Sequence, residues 1–171
     1  MLACGPVNLR IERRPAGGAD AAALIGRYHA ELRERLSGFD PALDPRPAVR
    51  FDPPSGAFLV AYADGSPVAC GGVTLREPGL AELKQMFVAR EARRRGVGRR
   101  LLGALEAAAR ELGAARVVLD TAEPLVEAAV LYASAGYRPI PRYNANPYAA
   151  AWFEKDISVS DGDSTPERPE P

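Results

Sequence analysis

The sequence predicts a mixed α/β fold organised around one mostly antiparallel sheet, and three observations predict it. First, residues 57–62 and 68–75 are apolar runs separated by Asp64-Gly65-Ser66-Pro67, a turn that joins two strands into a hairpin. Second, residues 82–88 read as a further strand that runs through a glycine- and arginine-containing turn into an amphipathic helix over 97–112. Third, Arg116 to Asp120 is a short apolar strand beyond that helix. It must run parallel to its predecessor, because a helix crosses over between them.

Composition bounds the problem. At 171 residues the chain fits a single domain able to bury a core, and 47% hydrophobic with 26% charged residues describes a globular protein in water. Lysine and arginine total 22, as do aspartate and glutamate, so nothing global points to nucleic acid or an anionic membrane as partner. Cys4 and Cys70 are too few for a disulfide framework or a metal cage, and a reducing compartment is the simpler inference. The first fourteen residues lack the apolar run of a signal peptide or a membrane span. The expectation is a cytoplasmic protein with no bound metal.

Taken in order, residues 7–14 alternate as a first strand, with Leu9 and Ile11 on one face. Pro15, Gly17 and Gly18 interrupt it, and Asp20 is the expected N-cap of a helix over 21–36 that places Leu24, Ile25, Tyr28, Leu32 and Leu36 on one side. His29, the sole histidine, lies on that helix as a candidate base, with a surface or cleft-lining position as its default role. Residues 39–54 hold five prolines, too broken for a regular element and too long for a passive turn. Gly71-Gly72 inside the second hairpin strand marks a bulge or a close backbone approach, and Cys70 beside it reads as a small core residue. The hairpin continues through Glu77-Pro78-Gly79 into the 82–88 strand, giving three consecutive antiparallel strands. Residues 124–135 form another short helix, with Val126, Ala129, Val130 and Ala133 expected to face inward. A proline-rich stretch over 138–148 precedes a last strand over 150–157, whose Trp152 and Phe153 would suit a homodimer contact if that strand lay at an edge. Residues 158–171 have no periodicity and almost no apolar content, and read as a disordered tail after a single domain over 1–157.

The turn before the 97–112 helix carries the chemistry. The first N–H groups of a helix have no partner within it and sit at the positive end of its dipole, so a phosphate is stabilised there. Gly96 and Gly98 allow close approach, and Arg93, Arg94, Arg95, Arg99 and Arg100 supply multidentate donors. A polyphosphorylated ligand is the inference, although a solvated basic face would have the same composition. The loop lacks the Lys-Ser/Thr end of a nucleoside triphosphate loop and the third glycine of a dinucleotide fingerprint.

Arg93-x-x-Gly96-x-Gly98, preceded by Met86-Phe87-Val88 and followed by Leu101-Leu102, resembles the acyl-CoA-binding motif of the GNAT (GCN5-related N-acetyltransferase) superfamily. Ala129-Val130-Leu131-Tyr132-x-x-x-Gly136-Tyr137 resembles the second half of that signature, and the two together cover residues 58–157. The resemblance implies a central, mostly antiparallel sheet with a splayed parallel strand pair, flanked by helices, with acetyl-CoA as co-substrate. It implies that Met86, Phe87 and Val88 meet the pantetheine arm and acetyl group, and that Arg93, Arg94, Arg95, Gly96, Val97, Gly98 and Arg99 meet the pyrophosphate.

By the same resemblance, Tyr132 stands where the family has the acid that protonates the departing thiolate, and Glu82 and Asp120 stand where different relatives carry a catalytic carboxylate. Relatives often have an asparagine seven residues before the tyrosine, where this chain has Leu125. The implied activity is acetyl transfer to a primary amine by direct attack. A small-molecule acceptor is favoured over a protein or peptide amine because no acidic patch or basic tail is present, and Tyr143, Asn144, Asn146 and Tyr148 would suit a small polar one. A non-catalytic acyl-CoA-binding module is the alternative from another class.

Overall fold

A computed structural model describes residues 8–43, 48–123 and 125–158. Cys4 and the tail expected beyond residue 158 lie outside them. The strands are β1 (Leu9–Arg13), β2 (Gly56–Ala63), β3 (Ser66–Glu77), β4 (Leu80–Val88), β5 (Arg116–Thr121), β6 (Arg138–Ile140) and β7 (Ala151–Asp156). The helices are α1 (Ala19–Arg35), α2 (Val97–Glu111) and α3 (Val126–Ser134), and short 3-10 turns occupy Pro41–Leu43, Ala48–Phe51 and Arg90–Ala92.

All seven strands form one sheet in the order β1-β2-β3-β4-β5-β7-β6. Its pairs are antiparallel except β4 with β5, as the crossover through α2 requires. Because β2 is interior and covered on both sides, its side chains alternate between two cores. Leu59 and Ala61 pack with Leu101, Leu102 and Leu105 of α2, while Phe58, Val60 and Tyr62 pack with Ala21 and Leu24 of α1. Two glycines let these layers close. A Cβ on Gly71 would lie 2.8 Å from Leu105 Cδ1, and one on Gly72 would lie 2.4 Å from Phe51 Cδ1. The paired glycines therefore serve a close approach of side chains, one from each face of the sheet.

The parallel pairing is short. It runs from Leu80 opposite Arg116 to Glu82 opposite Val118 and goes no further, so β4 and β5 part into a fork. A bulge in β4 accompanies the parting: two steps of β3, from Cys70 to Gly72, stand opposite three steps of β4, from Lys84 to Phe87. The extra residue is absorbed at Gln85, whose φ is 55°. At the crotch of the fork the Lys84 ammonium is buried between two carboxylates, 3.1 Å from Glu82 Oε1 and in direct contact with Asp120. Burial pushes both carboxyls up, but Lys84 overrides it, together with Tyr143 and Arg76 at Glu82 and with Asn144 and Asn146 at Asp120. Both stay below the ordinary carboxylate range.

Four local expectations are corrected. The N-cap of α1 is Gly18, and Asp20 sits in the first turn, accepting a hydrogen bond from the Tyr62 hydroxyl at 2.7 Å. In α3, Val126 and Val130 are 63% and 62% exposed and Ala133 is exposed, while Tyr132 is buried and Ala128 and Leu131 are half-buried. That helix is apolar nearly all round, so its sequence did not mark a face, and the cleft takes the side bearing Tyr132. Strand β7 is not an edge: Trp152 and Phe153 lie between β5 and β6, which removes the basis for a dimer contact through them. The 39–54 stretch, expected to hold no regular element, contains the two 3-10 turns, and Phe51 from the second is buried in the α1-side core. Cys70 is buried in that same core, and burial pushes its thiol up to about 12, as befits a packing residue.

Two consequences are measurable. Gly72→Ala should destabilise the fold by about 1–3 kcal/mol by overpacking against Phe51, whereas Gly103→Ala, with open space at its Cβ on α2, should stabilise it by roughly 0.5–1 kcal/mol; urea unfolding of both variants tests the pair. Glu82 and Asp120 have folded-state values below their unfolded ones. Their contribution is therefore complete above the unfolded values, near about pH 4, and is lost as pH falls through the folded ones. Melting curves should show Tm dropping from about pH 4 downward. Lys84→Met should cost about 3–5 kcal/mol at neutral pH and flatten that acid limb.

Candidate active site

A groove of about 470 Å³ runs along the fork. Its floor is Met86, Phe87 and Val88 of β4, one end is the loop entering α2, and its sides come from α1 and α3. Gly96 begins α2 with φ of 76°, a left-handed conformation that favours glycine, and no side chain caps the helix. The first intrahelical bond closes from Arg100 N–H to Gly96 C=O at 3.1 Å, so the N–H groups of Val97, Gly98 and Arg99 belong to the unpaired first turn. Gly98 faces the groove at a narrow point: a Cβ there would lie 3.3 Å from Leu131 Cδ2 and 3.6 Å from Val88 Cγ2.

The arginines divide into two groups. Arg93 turns inward, donating from Nε to the Val88 carbonyl at 2.9 Å and from NH2 to Glu31 at 2.7 Å. Arg99 donates to the carbonyl and hydroxyl of Ser134 at 3.0 and 2.8 Å. These two brace the loop against β4, α1 and α3. Arg94 and Arg95 are exposed, and Arg94 lines the groove from a left-handed φ of 61°. Burial pushes the Glu31 carboxyl up, but Arg93, Arg35 and Arg90 together hold it below its ordinary value. Glu31 and Glu127, both at the groove, were not singled out from the sequence, where each is one acidic residue among many on a helix.

A second cavity of about 250 Å³ opens beyond the groove and shares Tyr28, Leu32, Met86, Leu125, Ala128 and Tyr132 with it. Tyr132 is buried at this boundary, its hydroxyl 3.8 Å from Met86 Sδ and its ring packed near Tyr137 and Phe153 at 5.7 and 6.2 Å between centroids. Burial, with a smaller push from Asp120, raises its phenol far above the ordinary range. Leu125 gives the boundary an apolar side chain where an amide was expected by resemblance.

The two candidate carboxylates part company here. Asp120 lines the second cavity, with Lys84, Thr121 and Asn146. Glu82 instead lines a separate cavity of about 200 Å³ with Arg76 and Asn144. The connection between β6 and β7 is tied down over both. Tyr143 donates to Glu82 Oε1 at 2.9 Å, Asn144 contacts Asp120, Asn146 donates to Asp120 Oδ1 at 3.0 Å, and Trp152 Nε1 donates to Asn144 Oδ1 at 3.0 Å. Of the four residues expected to meet an acceptor, only Asn146 and Tyr148 line the second cavity, and Tyr143 and Asn144 are anchors beneath the loop. His29 also lines it, as its default role had it. Lys84 and Thr121 escaped sequence reasoning. A lysine two residues after Glu82 on the same strand was the available signal for the first, and the second gave none.

Among the described residues no helix is long and apolar enough to cross a membrane. Comparison with known proteins agrees with the architecture. An IAA acetyltransferase of Azospirillum brasilense is 36% identical over 108 residues, 61% of this chain and 70% of that protein. An uncharacterised N-acetyltransferase of Schizosaccharomyces pombe is 33% identical over 103 residues, 59% of this chain and 63% of that protein, so the match falls short of two thirds of its length. The crystal structure of a GNAT-family acetyltransferase from Staphylococcus aureus superposes with a TM-score of 0.76 over 87% of this chain and 99% of its own, at 17% identity, a likeness of fold. The sequence profile of the acetyltransferase (GNAT) family matches residues 26–137. With a matched segment that spans the groove loop, the fork and Tyr132, the chain belongs to the GNAT acetyltransferase family and is an acyltransferase.

Proposed function

We propose that the protein transfers an acetyl group from acetyl-CoA to the primary amine of a small molecule by direct attack while both substrates are bound. The observation that carries this reading is the meeting of two cavities at Met86 and Tyr132, one ending at an uncapped helix N-terminus and the other at the acceptor side of the fork.

The residues present fit the co-substrate on grounds of their own. Uncapped N–H groups of Val97, Gly98 and Arg99 suit a pyrophosphate, with Arg94 and Arg95 in solvent beside them. Backbone groups of β4 beyond Glu82, released from pairing with β5, suit the amides of an extended arm. Acetyl-CoA supplies the acetyl group as a thioester, already activated toward an amine.

The chain's part is then orientation and proton management. An alkylammonium has no lone pair, so the acceptor must lose a proton before its nitrogen bonds to the acetyl carbon. Asp120, at the acceptor cavity, is the carboxylate placed to receive it through water, and its low pKa makes it a weak base that relies on solvent. A backbone N–H near Val88 steadies the carbonyl oxygen as negative charge develops there. The nitrogen–carbon bond forms, the nitrogen gives up its second proton to solvent, the carbon–sulfur bond breaks, and Tyr132, held protonated by burial, donates its proton to the departing sulfur and regains one from solvent. Since a thiol of pKa near about 8.5 is already a fair leaving group, this last contribution is moderate.

Two variants test the assignment. Tyr132→Phe keeps the ring packing and removes the proton; kcat should fall about 10²-fold, with the acetyl-CoA Kd from titration calorimetry unchanged. Gly98→Asp puts a carboxylate where the phosphate would sit while favouring the helix start, so the protein should fold yet bind acetyl-CoA at least about tenfold more weakly. Unaltered binding there would remove the pyrophosphate from this loop.

A further inference from the structure

The cavity beyond the fork carries information about the acceptor itself. Its far wall is a run of rings. Tyr28 and His29 have centroids 5.9 Å apart, His29 and Phe39 5.8 Å, and Phe39 and Tyr148 5.0 Å. The last two rings come from segments 109 residues apart, and the join is fastened: the Asp40 backbone N–H donates to the Tyr148 hydroxyl at 2.8 Å. This aromatic wall thus has a held shape.

The cavity's charges are spoken for. Lys84 and Asp120 both line it, and they are paired with each other, with Asn146 on the remaining carboxylate oxygen. Glu82 opens onto the other side of the network. Among the described residues the cavity therefore presents no uncompensated carboxylate to draw in a second positive charge, as a polyamine would need. Thr121 closes part of its wall and is 7% exposed, with its Oγ1 shut off from solvent.

From these features we infer that the acceptor is an aromatic primary monoamine. Its ring lies against His29, Phe39 and Tyr148, and its amino nitrogen reaches the boundary at Met86 and Tyr132. This rests on the reading of the fork as an acetyl-transfer site, and it deepens that reading to a substrate class. Aromatic stacking supplies the selection, while the balanced ion cluster rejects additional charge.

The test is thiol release from acetyl-CoA with 2-phenylethylamine and tyramine against 2-cyclohexylethylamine, spermidine and an alanine-initiated peptide, alongside calorimetric titration with acetyl-CoA. The aromatic amines should lead in kcat/KM by about tenfold or more. Phe39→Leu should raise KM for the preferred amine several-fold, leaving acetyl-CoA affinity and melting temperature near those of the parent. Preference for spermidine, the peptide or the saturated ring, or no transfer to either aromatic amine by protein that binds acetyl-CoA, overturns the substrate class and leaves the cofactor reading standing. Failure to bind acetyl-CoA would instead overturn both.

Discussion

A single buried ammonium stands where the sheet divides. Backbone pairing between β4 and β5 stops at Glu82 and Val118, and two residues further along each strand the Lys84 side chain meets Asp120. The strands are thus joined by a long side chain where they no longer share hydrogen bonds. An isolated charge at this depth would be expensive, so the cluster persists only because each member is satisfied: Lys84 by two carboxylates, Asp120 by two asparagines, Glu82 by a tyrosine and an arginine. Since Tyr143, Asn144 and Asn146 all lie between β6 and β7, the same cluster fixes the loop beside the cavity beyond the groove. Fork and loop share one electrostatic anchor.

The groove shows a division of labour among its basic residues. A reading in which all five arginines around the loop grip phosphate misses that three of them are committed to protein partners. Arg93 ties the loop to Glu31 and to the end of β4, Arg99 ties α2 to the end of α3, and Arg100 donates to the Leu9 carbonyl. Such bracing holds the first turn of α2 open toward the groove, where backbone N–H groups rather than flexible side chains set the geometry. The acidic residues facing this loop also explain how a locally arginine-rich segment coexists with 22 basic and 22 acidic residues in the whole chain.

Much of the architecture was legible because it is written in short windows. Asp64-Gly65-Ser66-Pro67 marks its hairpin through turn chemistry, and residues 97–112 mark α2 through three- and four-residue spacing. The strand, glycine turn and helix of the groove are contiguous in the chain, so this unit is legible from local sequence alone. The face of α3 was not legible, because valine and alanine occupy its inner and outer sides alike and amphipathicity carried no direction. Likewise Trp152 and Phe153 have the composition of an edge contact but lie inside the sheet, because β6 pairs outside β7.

The sequence by itself determined the fold class and the family resemblance, since both depend on residue types a few positions apart. Tertiary structure alone decided that Lys84 belongs with Asp120, that Glu82 and Asp120 open onto different cavities, and that Phe39 and Tyr148 form one wall. Those pairs are separated by tens of residues or more, and their meeting is set by strand order, the bulge at Gln85 and the splay of two strands, all of them properties of the assembled sheet.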